Sequence, residues 1–133
     1  MAKKNDPFSE IEITKNFSSG ISTHVDWEPR TNIIEAGDTL VIEVELPGVN
    51  KDDVSILLQS DNELIIKGSK PRPRIEAPQV THHLFEREFG NFFKKIVIDF
   101  PLETSGIHSV MENGVLTIKL PRKKPRKISV DIK

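Results

Sequence analysis

The sequence predicts an all-β fold, a sandwich or barrel of short antiparallel strands, and three observations carry that prediction. Apolar residues alternate with polar ones at period two in five separate segments, the spacing of strands buried on one face. Turn-forming residues fall between those segments. No long stretch repeats its apolar residues at helical spacing.

The segments follow in chain order. In Leu40–Leu46 the even positions are all apolar, while Glu43 and Glu45 lie on the opposite, wet face. Val54, Ile56 and Leu58 make a second stripe, and Leu64 with Ile66 a third. Phe92, Ile96, Ile98 and Phe100 make a fourth, interrupted by Lys94, and Leu116, Ile118 and Leu120 a fifth. Shorter runs at Asn32–Glu35 and Ile107–Glu112 bring the number to about seven. Pro47-Gly48, Ser60-Asp61-Asn62, Gly90-Asn91 and Asn113-Gly114 read as turns. Asn113-Gly114 is the sharpest signal, because both central residues of a type I′ hairpin turn need positive φ; it should join Ser109–Glu112 to Val115–Leu120. Asn50-Lys51-Asp52-Asp53 should form one helical turn capped by Asn50. The prolines at 71, 73 and 78 mark a long loop over 70–83. Residues 1–24 and 122–133 read as arms flanking a domain over 25–121.

Composition removes several function classes. With 133 residues the chain fits one domain large enough for its own core. There is no cysteine, so a disulfide framework, a thiolate zinc site and a thiol nucleophile are excluded. No stretch approaches the roughly 20 apolar residues of a membrane helix, and the N-terminus carries no secretory signal pattern; the expected location is the cytoplasm. Nineteen basic against twenty acidic residues leave a net charge of −1, so the whole chain has no strong pull toward nucleic acid or anionic lipid.

A search for chemistry finds no constellation. His82 and His83 are adjacent, and on a strand adjacent side chains point to opposite faces, so they do not share a metal ion easily; no cofactor is expected. Glu43 and Glu45 could do acid–base work but read more simply as a solvated face. No phosphate-binding glycine loop, nucleophile elbow or zinc-protease motif occurs. An enzyme is not expected. Six basic residues between Lys119 and Lys127 could contact phosphates, but no aromatic residues are interleaved for base stacking, and a solvated linker is the simpler account.

Beyond that linker lies Ile128-Ser129-Val130-Asp131-Ile132. Alternating branched residues after a flexible arm suit insertion into an apolar groove as an added strand. From spacing alone, a last strand of the same domain is an equal alternative.

These residues resemble the small heat-shock protein (α-crystallin) family. Val25-Asp26-Trp27-Glu28 is similar to the start of that family's domain. Val44-Glu45-Leu46-Pro47-Gly48-Val49, followed by Asp52-Asp53-Val54, resembles its E-L-P-G-V segment and the strand after it. Phe85-Glu86-Arg87-Glu88-Phe89-Gly90-Asn91-Phe92 resembles its E-R-x-F-G-x-F block. The block from Met111 to Thr117, with Asn113, Gly114, Val115 and Leu116 at its centre, resembles the hairpin carrying the G-V-L signature, with Leu120-Pro121-Arg122 after it. Ile128-Ser129-Val130 is similar to the I-x-I/V tail motif. Five motifs in the right order cover about Val25 to Val130.

The resemblance implies an immunoglobulin-like β-sandwich of about seven to nine strands and an ATP-independent chaperone that holds partly unfolded proteins. It implies that a strand from the long loop, near His82, His83, Leu84 and Phe85, crosses to a partner's sheet to form a homodimer. It implies that Ile128 and Val130 dock on a neighbouring dimer in a groove lined by Val54, Ile56, Leu58, Ile107, Ser109 and Met111. Clients would also meet Phe8, Ile11, Ile13 and Phe17 of the N-terminal arm. Position 109 departs from the family, which usually has Ala there, and the N-terminal arm is short. Two other functions remain open to the sequence: a non-oligomeric, co-chaperone-like interaction module on the same sandwich, and nucleic-acid binding through the basic run.

Overall fold

The computed structural model describes residues 24–60, 62–125 and 127–133. Seven strands follow in order: β1 (Thr31–Ala36), β2 (Thr39–Glu45), β3 (Val54–Gln59), β4 (Glu63–Lys70), β5 (Gly90–Val97), β6 (His108–Glu112) and β7 (Val115–Pro121). They form two antiparallel sheets, a four-stranded one in the order β1-β2-β7-β6 and a three-stranded one in the order β3-β4-β5.

Period-two patterning explains the layering. Leu40, Ile42 and Val44 of β2 lie opposite Leu120, Ile118 and Leu116 of β7, and all six are buried. Leu64 and Ile66 of β4 face them from the other sheet with Phe92 and Ile96 of β5, and together they make one core cluster. Each such side chain contributes about 1.5–3 kcal/mol by leaving water. Phe100 lies beyond the end of β5 and packs only partly on the core. Ile65, on the other face of β4, is also buried; its cross-strand neighbours are Leu57 and Lys95.

The turns hold two corrections. Asn113 and Gly114 have φ of 54° and 76° and close the β6–β7 hairpin with Glu112 opposite Val115. Gly90-Asn91, expected to be a turn, instead opens β5. Gly90 has φ of 96°, and a side chain there would run into the Asp26 carboxylate; the glycine serves a close approach between segments. That carboxylate accepts a hydrogen bond from the Asn91 amide at 2.7 Å. The helical turn forms as a 3₁₀ turn at Lys51–Asp53, but the Asn50 side chain does not cap it. Its amide donates instead to Asp53 Oδ2 at 3.4 Å.

Trp27 sets how the two sheets are stacked. It bridges Phe92 in parallel, its ring lies 5.2 Å from the Phe92 ring, and Nε1 donates to the Gly90 carbonyl at 3.0 Å. Asp26 and Trp27 thus run along β5 before the chain enters β1 in the other sheet. The β5 edge therefore lies on the β1 side of the sandwich, and β3 and β6 lie together on the opposite side.

Candidate functional site: open edges, an exposed loop and a free tail

The β3–β6 side combines two unpaired strand edges with apolar lining. Val54, Ile56 and Leu58 of β3 are half-buried and pack against the core, as do Ile107 and Met111 from the β6 side. Ser109 shares the inward face of β6 by alternation, yet its short polar side chain is exposed between Ile107 and Met111. Unpaired backbone donors and acceptors beside apolar side chains form a template for an added strand.

The long loop runs from Pro71 to Phe89, further than the 70–83 expected. Lys70, placed in the loop from sequence, is the last residue of β4 and is buried. Its Nζ lies 5.6 Å from the Trp27 ring and 5.7 Å from the Phe89 ring. Burial pulls this ammonium below the ordinary lysine range; the Arg87 guanidinium adds to the effect and Glu88 opposes it. In the single chain His82–Phe85 form no strand. Instead the Arg72 guanidinium lies 4.7 Å over the Phe85 ring with Nη2 at 2.8 Å from His82 Nε2, and His82 meets Phe85 edge-on at 5.0 Å. His83 is exposed in the same loop. Leu84 is 76% and Phe85 52% exposed. This cluster covers little apolar area, and nothing in the loop's own sheet pairs its backbone.

Among its described residues the C-terminal segment forms no further strand. Arg122 bridges Leu102 and the Lys123 amide donates to the Pro101 carbonyl at 2.9 Å. Beyond that anchor Ile128, Val130 and Ile132 are 72%, 80% and 100% exposed. Of the alternatives open to the sequence, a last strand of the same domain does not occur. Phe8, Ile11, Ile13 and Phe17 lie outside the described residues.

Among the described residues no three His, Cys, Asp or Glu side chains cluster to hold a metal ion, and no helix is long and apolar enough to cross a membrane. Glu43 and Glu45 line an open cleft near β1 with Glu28, Arg30, Glu88 and Lys94. There Asn32 donates to Glu43 at 3.5 Å and Lys94 lies 3.6 Å from Glu28. Sequence reasoning missed the Trp27–Lys70–Phe89 stack, whose members are 19 and 43 positions apart and share no motif.

The molecule is thus an antiparallel β-sandwich with unpaired strand edges and exposed apolar segments. Comparison with known proteins identifies its family. The Hsp20/alpha crystallin family matches residues 32–133, and this chain belongs to that family of small heat-shock proteins, whose role is that of chaperones. It is 31% identical over 129 residues to the 17.6 kDa class I heat shock protein 1 of Arabidopsis thaliana, covering 96% of this chain and 79% of the relative. It is 36% identical over 118 residues to the small heat shock protein C2 of Rickettsia felis, covering 86% and 75%. Among solved structures, heat shock protein 16.0 of Schizosaccharomyces pombe superposes with a TM-score of 0.67 at 34% identity, over 80% of this chain and 99% of that one. A small heat-shock protein from Xylella fastidiosa superposes with a TM-score of 0.64 at 27% identity, over 81% and 100%.

Proposed function

We propose that this protein is an ATP-independent holding chaperone of the cytoplasm that works as an oligomer of dimers and binds partly unfolded proteins. The observation that carries the proposal is the coexistence, in one chain of this family, of open sheet edges and an exposed alternating apolar tail. Each is costly to leave in water, and each complements the other.

Two contacts between copies follow from the free edges. The β5 edge is partly covered by Asp26 and Trp27 through hydrogen bonds to the Asn91 carbonyl. The β1 edge is open, and Ile33 and Ile34 on it are exposed. It is the natural acceptor for a partner's His82–Phe85 segment added as a strand, which would make the dimer. The β3–β6 side is left for Ile128 and Val130 of a neighbouring dimer. Burying those two side chains yields roughly 3–6 kcal/mol before ordering costs. An interaction of that size opens on heating or exchange and exposes the groove to clients. The Xylella relative, with its distinct high-order structure, supports assembly beyond the dimer.

The test is aggregation of a heated client protein at stoichiometric ratio, without nucleotide, followed by light scattering. Suppression by the intact chain is expected. In parallel, the Ile128→Ala, Val130→Ala double variant should fall from a large oligomer to dimers. Failure to protect any client would remove the holding function, and an unchanged mass would remove the tail as the link between dimers.

A further inference from the structure

We infer that Ile132 is a third anchor of the tail, and that a neighbouring copy's Ile128, Val130 and Ile132 enter the β3–β6 groove together with Val130 at its centre. This rests on the tail-in-groove arrangement proposed above and assigns its length and register.

The count of side chains carries the argument. The tail presents three branched residues at period two, and the most exposed of them is Ile132. The β3 edge presents three half-buried apolar residues at the same period, Val54, Ile56 and Leu58. In extended conformation both stripes span about 13 Å at about 3.3 Å per residue. A tail with two anchors on a three-position stripe has two equivalent seats, one strand period apart. A third anchor removes that degeneracy, since any shifted seat leaves one isoleucine in water.

The β6 side sets the centre. Ile107 and Met111 pack partly on the core, and Ser109 between them is exposed and has the smallest side chain of the three. In the inferred seat the gap over Ser109 is filled by the tail's middle residue, Val130, while Ile128 and Ile132 sit over the ends. Ser129 and Asp131 then point away from the groove, which suits their polarity. The occupant comes from another copy: the chain's own tail leaves the body at Lys123, held to Pro101, and its anchors stand free in solvent rather than on its own groove.

The experiment uses full-length chain carrying Ile128→Ser, Val130→Ser and Ile132→Ser together, which frees the groove without touching the sandwich. Synthetic peptides of residues 124–133 are titrated into it by calorimetry. An Ile132→Ser peptide is expected to bind about tenfold more weakly than the natural peptide, the equivalent of about 1.4 kcal/mol, and an Ile128→Ser peptide to lose at least as much. Equal affinity of the Ile132→Ser and natural peptides, with Ile128→Ser weakened, overturns the third anchor and leaves the two-residue docking intact. No binding by the natural peptide overturns both. For the register, adding Ser109→Leu to the receptor fills the gap. The natural peptide should then weaken about tenfold and a Val130→Ala peptide should bind better than it. If the natural peptide keeps its lead on both receptors, Val130 does not sit at the centre.

Discussion

The strands β2, β4 and β7 and the segments Pro71–Phe89 and Lys127–Lys133 are all supplied with branched apolar residues, yet they fare differently. Ile42, Ile66 and Ile118 are wholly buried by neighbours in the same chain. Leu84, Ile128 and Ile132 meet almost nothing. Hydrophobic composition alone does not separate these regions. The difference is whether a paired strand holds the residue against a second sheet. Regions lacking that support carry their apolar groups outward into solvent.

The largest effect should come from breaking the self-satisfied region. Phe92 is buried against Trp27 and the core cluster, and Phe92→Ala should cost about 3–5 kcal/mol in urea unfolding. A loss below about 1 kcal/mol would mean the core is not closed there. Next comes Gly90→Ala, which forces a Cβ into a left-handed backbone position and onto the Asp26 carboxylate. A loss of about 1–3 kcal/mol is expected, and native-like stability would show that the Asp26–Asn91 contact yields freely.

The outward region should respond in the opposite sense. Leu84→Ser with Phe85→Ser should change the intrinsic stability of the sandwich by no more than about 0.5 kcal/mol. What should change is its concentration dependence: the natural chain's unfolding midpoint should rise more steeply with protein concentration than the variant's, which keeps only the tail contact between copies. A variant as concentration-dependent as the natural chain would take these residues out of the dimer contact.

The smallest effect lies at the junction of the two regions. Lys70 is buried between Trp27 and Phe89, and burial lowers its affinity for a proton. The unfolded chain therefore binds more protons than the folded one at pH values below the ordinary lysine value of 10.5. The cost is fully present at neutral pH and is relieved as pH rises through that window. Against a Lys70→Met variant, the natural chain should gain relative stability as pH rises toward 10.5. A flat difference would show the ammonium to be well solvated.

How far the sequence was legible follows from the range of the interactions involved. Strands were readable because a buried face needs only alternation within one segment, as at Leu40–Leu46. The Asn113-Gly114 hairpin was readable because both residues tolerate the backbone that the turn demands. Gly90 misled, since the same residue type serves turns and close approaches, and the Asp26 carboxylate it accommodates comes from 64 positions away. Lys70 misled because the prolines that follow it mark a loop, while the rings that bury it come from elsewhere in the chain. Ser109 was expected among the groove-lining residues from its place in the alternation, but its exposure depends on its neighbours.

By itself, then, the sequence determined the strand pattern, the tight β6–β7 turn, the family motifs and the spacing of the tail's branched residues, because each is written in residues a few positions apart. Only the tertiary structure decided that β3 and β6 lie on one side, that Trp27 and Asp26 shield β5 while β1 stays open, and that the tail finds no seat on its own chain. Those outcomes depend on how two sheets stack and which edges the chain ends cover, and that is set by contacts between residues far apart in sequence.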